Sequence, residues 1–406
     1  MTERIILAYS GGLDTSVAIP WLIENYGCEV VTLTVDLGQG RDLSTIEERA
    51  LKSGAKKAVI ADGRREFLQE YVWPSLQAGA LYEGRYPLAT ALSRPLIARL
   101  LVDLATTENA TGVAHGCTGK GNDQVRLDVS VMALSPNLNV IAPAREWGMT
   151  REDEIRYATK RGIPISSAQP SVYSVDENIW GRSVEAGPLE DPWMEPPEEV
   201  FAWTKSADSA PNEPTYIEIA FDSGIPVAVN ARPLDSIPLV EHINEIAATH
   251  GVGRIDHLEN RLVGIKSREV YEAPAACVLH LAHKELERLT LSKDQYRFKE
   301  TASDQYANLV YEGKWFSRHR EDLEAYIKST QMLVTGIVKL RLHKGNCVVV
   351  GRQSSNSLYS YELATYDKDD MFDHKAAEGF IKIYGLPTKT QAIKQASKKG
   401  TPDPNQ

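Results

Sequence analysis

Two short stretches of this chain carry residue types that could do chemistry. The first is Ser10-Gly11-Gly12-Leu13-Asp14-Thr15-Ser16, placed between an apolar pentad and an apolar helical stretch. Two glycines let backbone fold closely around an anion, and the hydroxyls of Ser10, Thr15 and Ser16 can donate to phosphate oxygens. The helix that follows would offer free N–H groups and the positive end of its dipole. Asp14 suits either of two roles, capping that helix or meeting Mg²⁺ beside a phosphate. The loop is not a Walker sequence: Gly119-Lys120 is followed by Gly121, and Ala114 stands where the first glycine should be. The second stretch runs from His115 to Arg126. Its glycines allow close backbone approach, and Thr118, Asn122, Asp123 and Arg126 bring a hydroxyl, an amide, a carboxylate and a guanidinium into one arc. Such a set suits an amino-acid ligand. Cys117 within it reads as a small filler, not a nucleophile.

Both stretches need a scaffold that places them together. Apolar runs at 5–9, 30–36, 58–61, 112–115 and 140–143 alternate with amphipathic segments, including a helix over 43–52 and another over 150–162. That alternation predicts an α/β domain with a doubly wound, mostly parallel sheet over residues 1–165, its ligands at the carboxyl edge of the strands. Asn122, Asp123 and Arg126 fall on the first turns of a helix ending near Leu134, with Asn122 and Arg126 on one face. Pro20 inside the first helix predicts a kink or a late start. From 166 to 214 the chain is rich in Ser, Pro, Gly and Trp and reads as a loop-rich boundary. A hairpin over 215–230, a helix over 237–248, a long amphipathic helix over 273–291 and a strand pair over 336–351 follow, giving an α+β domain over 166–365. A helical tail over 366–406 carries an apolar stripe, Ala376, Phe380, Ile381 and Tyr384, suited either to oligomer contact or to docking on its own chain. Trp180, Trp193 and Trp203 are expected at the domain junction, and His280 with His283 on a structural helix face.

Composition bounds the partners. The 406 residues carry a formal net charge of −10, with 55 acidic against 45 basic residues, so no broad basic face for nucleic acid is expected. Four scattered cysteines form no CxxC pair, which suits reducing cytoplasm, and no apolar run reaches membrane-spanning length.

The segments AYSGGLDTS, YPLATALSRP, HGCTGKGNDQVR, YSVDEN, EAGPLEDP, GVGRIDHLENRLVGIKSREVYE and APAACVLHLAH, in this order over about residues 5 to 385, together resemble the argininosuccinate synthase family. The resemblance implies an ATP-dependent ligase of arginine biosynthesis that splits ATP to AMP and diphosphate through a citrullyl-adenylate, with Mg²⁺ as cofactor and a homotetrameric assembly. It implies ATP contacts at Ala8, Tyr9, Ser10, Gly11, Gly12, Leu13, Asp14, Thr15 and Ser16, with Val35 and Gly116. Citrulline would lie against Tyr86, Ala91, Asn122, Arg126, Ser174, Ser183, Glu259 and Tyr271, and aspartate against Thr118, Asn122 and Asp123. Asp14, Asp123 and Arg126 are the catalytic candidates, Asp123 to orient the aspartate amine or take its proton. Val35 stands where many relatives have alanine, and Ala91 where some have a serine beside citrulline. A ligase acting on tRNA, an amidotransferase and a nucleotide sensor are the alternatives; the chain lacks the basic surface, cysteine pair or glutaminase domain that the first two need.

Overall fold

A computed structural model describes residues 3–40, 42–119, 121–164, 172–367 and 370–398. Lys120 of the second stretch and the polar end past 398 lie outside the described residues. Five short strands, β1 (Arg4–Ala8), β2 (Glu29–Asp36), β3 (Lys57–Asp62), β4 (Gly112–Ala114) and β5 (Asn139–Ile141), form a parallel sheet in the order β3-β2-β1-β4-β5. Side chains alternate across it: Ile5 and Leu7 pack with Ile19, Leu22 and Ile46 on one face, while Ile6, Val31 and Leu33 join Leu92 and Leu96 on the other. β1 lies between β2 and β4, so the chain winds outward in opposite directions from it. That is the switch point at which an open sheet leaves a crevice at its carboxyl edge.

The helices Leu43–Lys52, Asn122–Leu134 and Arg151–Arg161 form as their patterns predict; Asp42 caps the first, and Thr150 with Asp153 closes a capping box on the third. The helix after β1 does not start late: it spans Leu13–Tyr26 with Pro20 in its interior and the chain turning at Gly27 in a left-handed conformation. Burial of Val17, Ala18, Ile19 and Leu22 offsets the hydrogen bond that Pro20 forfeits.

Nine further strands follow: β6 (Ser174–Asn178), β7 (Gly181–Glu185), β8 (Thr215–Asp222), β9 (Ile225–Val229), β10 (Arg232–Pro233), β11 (Arg254–Asn260), β12 (Lys266–Glu272), β13 (Gly336–His343) and β14 (Asn346–Gln353). β8 and β9 form the expected hairpin about Ser223-Gly224, and β13 and β14 pair around Lys344-Gly345. An antiparallel sheet β10-β9-β8-β13-β14 buries Ile217, Ile219, Val338, Leu340 and Leu342, with the helices Ser236–Thr249 and Pro274–Thr290 in the same core.

The region expected to be loop is in part sheet. β6 and β7 complete a second antiparallel sheet, β11-β12-β7-β6, and this sheet builds the site described below. Of the three tryptophans, Trp180 is buried and donates to the Pro87 carbonyl, but Trp193 is 95% exposed and packs no junction. His280 and His283 are buried on their helix, and no group of three metal-ligating side chains occurs among the described residues.

Met1–Asn356 form one compact unit and Ser357–Gln406 another. Within the second, the helical tail is two helices, His374–Tyr384 and Leu386–Lys398; Phe380, Ile381 and Tyr384 are exposed. No helix among the described residues is long and apolar enough to cross a membrane.

Candidate active site

The chain leaves β1 through Tyr9 and Ser10 and turns at Gly11, whose φ of +75° only glycine adopts without strain. A Cβ there would also stand 3.0 Å from Ile46 Cγ1, so the loop lies directly on the helix Leu43–Lys52. From that helix the Arg49 guanidinium donates to the Gly11 carbonyl. Gly12 is the N-cap of the helix Leu13–Tyr26 and has no side chain to cap it; its own N–H donates to Ser10 Oγ at 3.3 Å. Asp14 sits inside the first turn and does not cap, which corrects one of its two expected roles. Hydroxyls surround the same turn: Tyr9 Oη lies 2.9 Å from Ser16 Oγ, Ser10 Oγ 3.2 Å from Thr15 Oγ1, and Ser16 Oγ donates to the Gly12 carbonyl at 2.7 Å. Glu154, buried on the helix Arg151–Arg161, is a neighbour that sequence reasoning missed. Burial, then Asp14, push its carboxyl up to about 8.

The loop after β4 comes in against this turn. A Cβ on Gly116 would fall 2.8 Å from Thr15 Cγ2 and 3.8 Å from Asp14 Cβ, so glycine is what lets the two loops touch. The Val35 side chain is buried against Gly63, facing the core, so a contact with nucleotide at this position would be made by backbone.

Beyond Gly116 lies a cavity of about 120 Å³. Tyr86, Asn122, Asp123, Arg126, Ser174, Ser183, Glu259 and Tyr271, all expected from the sequence, line it. Ala91 does not: it is wholly buried in the core, so the missing hydroxyl there concerns packing within the helix Ala89–Thr107. Thr118 is exposed, outside the cavity wall. Thr90, Asp176, Glu185, Arg261 and Glu269 line the cavity without having been singled out. Four strands deliver most of these groups by alternation: Ser174 and Asp176 from β6, Ser183 and Glu185 from β7, Glu269 and Tyr271 from β12, Glu259 from β11.

Two stacked tyrosine pairs stiffen the wall: Tyr86 on Tyr271, at 4.2 Å between centroids, lines it, and Tyr82 on Tyr311, at 3.5 Å, supports it from outside the lining through Tyr311 Oη. Glu259 accepts from Tyr271 at 2.6 Å and from Tyr311 at 2.5 Å. Asn122 uses both ends of its amide on the protein, donating to Tyr311 Oη at 2.8 Å and accepting from Leu262 N at 3.0 Å. The Arg126 guanidinium donates through Nε to the Tyr311 carbonyl at 2.9 Å and through Nη1 to Asp123 at 2.9 Å; its buried Nη2 has no partner among the described residues. Arg94 holds the other Asp123 oxygen at 2.7 Å and also grips Asp176. Burial raises the Asp123 carboxyl, but Arg94 and Arg126 outweigh it and hold the group down at about 2. Burial and Asp123 push the Cys117 thiol up to about 12, which removes it as a nucleophile.

The glycine loop after β1 thus meets the loop after the neighbouring strand β4, and the helix that follows the second loop supplies Asn122, Asp123 and Arg126 to a small cavity fitted with opposed charges. Two family models match the chain: the arginosuccinate synthase N-terminal HUP domain over residues 4–164 and the arginosuccinate synthase C-terminal domain over residues 173–391. The chain belongs to the argininosuccinate synthase family. A protein named argininosuccinate synthase from Dehalococcoides mccartyi is 56% identical over 97% of each chain. Its counterpart from Symbiobacterium thermophilum is 58% identical over 98% of this chain and 99% of its own, and that from Thermosynechococcus vestitus 56% identical over 97% and 98%. The family's two matched regions meet across residues 165–172, between the helix Arg151–Arg161 and β6.

Proposed function

We propose that this chain joins L-citrulline to L-aspartate, splitting ATP to AMP and diphosphate, as an argininosuccinate synthase of arginine biosynthesis. The observation that supports the reading is the close approach of Gly116 to Thr15, which brings the loop leading into the helix of Asn122, Asp123 and Arg126 against the glycine loop after β1. Near-attack placement of two bound reactants contributes far more to rate than any single group here could.

In the first step the ureido oxygen of citrulline attacks the α-phosphorus and diphosphate leaves. The first-turn N–H groups and the hydroxyls of Ser10, Thr15 and Ser16 are suited to hold the phosphates, with Ala8, Tyr9 and Leu13 shaping the loop. Mg²⁺ suits a site with one carboxylate, Asp14, beside phosphate oxygens and water; when bound it would neutralise charge on the phosphates. In the second step the aspartate amine attacks the activated ureido carbon, AMP departs and one proton is released. Thr118 and Asp123 are proposed on the aspartate side. A carboxylate held near 2 by two guanidinium groups is too weak a base for that proton, so Asp123 orients the amine. The proposed assembly is a cytoplasmic homotetramer, supported by the exposed apolar helix faces of Ser357–Gln406.

Diphosphate release from purified protein with Mg-ATP tests the reading. Release that requires citrulline, with sustained turnover once aspartate is added, is expected. Tight ATP binding without release under any combination would point to a nucleotide sensor or to a ligase with another substrate.

A further inference from the structure

One end of the cavity is out of electrical balance. Three carboxylates, Glu185, Glu259 and Glu269, face a single guanidinium, Arg261. Arg261 pairs with Glu185 and reaches Glu269 at 3.1 Å, whereas Glu259 has only the two phenols described above. Glu259 is buried and Glu269 largely so, while Glu185 is part-exposed; unbalanced charge on the two enclosed carboxylates is costly, and there are two ways to relieve it: a proton on a carboxyl, or a cation among them. The Glu269 carboxyl follows the first route. Burial, then Glu259 and Glu185, push it up to about 8 against the opposing pull of Arg261 and Tyr271. The same cavity holds the Nη2 of Arg126, a buried donor with no hydrogen-bond partner among the described residues and so ready for an anion.

A zwitterionic amino acid, whose ammonium and carboxylate share one carbon, supplies both missing charges when that carbon sits between the carboxylates and Arg126. Resting on the citrulline reading above, we infer that Glu269 is a further substrate-binding and specificity-determining residue, receiving the α-ammonium together with Glu259 while Arg126 takes the α-carboxylate. The pleat supports the pairing. Glu269 and Tyr271 lie two apart on β12 and so share one face, and Tyr271 is the residue whose phenol reaches Glu259. A single phenolic proton serves two carboxylates there, which leaves acceptor capacity for an ammonium.

The test compares citrulline with 5-ureidopentanoate, which lacks the α-amine, as substrates for diphosphate release by the wild type, Glu269→Gln and Glu269→Asp. Loss of the carboxylate in Glu269→Gln is expected to raise the KM for citrulline by about tenfold and to shrink the preference for citrulline over the analogue by a similar factor. The KM values for ATP and aspartate should stay within about twofold, and Glu269→Asp should recover part of the preference. Because the preference is a ratio within one protein, partial misfolding cancels from it. An unchanged preference in Glu269→Gln overturns the inference. Absence of citrulline-dependent release from the wild type would instead overturn the proposed function, a separate outcome read before any variant is made.

Discussion

At the scale of single residues, the site is organised by how few polar atoms remain uncommitted. Asp123 spends one oxygen on Arg126 and the other on Arg94, and its carboxyl sits near 2 against an ordinary 3.8. A depressed carboxyl stabilises the fold above its unfolded value, and that contribution is lost as pH falls from about 4 through about 2. Asp123→Asn is therefore expected to lower stability at neutral pH by on the order of 2 kcal/mol, with the gap to wild type closing toward about pH 2. Thermal melts across acid pH check this; a constant gap at every pH would show that packing, not charge, makes the difference. In turnover the same variant should keep citrulline-dependent diphosphate release and lose aspartate capture.

At the scale of elements, the anion loop depends on backbone that only glycine can follow. Gly11→Ala meets both a left-handed φ, at about 1 to 2 kcal/mol, and Ile46 at 3.0 Å, so the loop should be displaced and ATP affinity should fall about tenfold. Gly27→Ala is the matched control: its φ of +62° brings the same strain, but nothing lies within 4 Å of the added carbon. Equal nucleotide titrations for the two variants would refute the loop's role. These elements also mark what the sequence could tell. The anion loop, the helix behind Asn122 and the parallel sheet were legible because two glycines after an apolar run and apolar segments alternating with amphipathic ones have one common physical solution. The cavity wall was not. Its strands carry SVDEN, GRSVE and KSREVYE; Val184 and Val270 pack into a small core on one face while Ser174, Asp176, Ser183, Glu185 and Glu269 line the cavity, so polar residues occupy enclosed positions and the apolar-polar alternation signal is weak. Arg94 and Asp176 escaped notice for another reason: they are 82 positions apart in the chain, and only the packing of the helix Ala89–Thr107 beside β6 makes them partners.

At the scale of the molecule, two units differ in how they are covered. Met1–Asn356 hold the buried apolar core, while the helix His374–Tyr384 of Ser357–Gln406 leaves Phe380, Ile381, Ile383 and Tyr384 exposed. Such a face in a single chain fits burial against other copies. Removing 357–406 is expected to leave the melting midpoint of the first unit within about 3 °C while the mass in solution falls below that of four copies. Light scattering decides; an unchanged mass would place the assembly contacts in the first unit.

The paired tyrosines of the cavity wall have an optical consequence. Four phenol rings are stacked two by two, and the hydroxyls of Tyr271 and Tyr311 converge on one carboxylate. Any ammonium that draws on Glu259 changes the hydrogen bonding of a ring in each stack at once. The near-ultraviolet circular dichroism of the tyrosines thus carries a built-in spectroscopic readout of amino-acid binding, with no label introduced and no chemistry required to proceed.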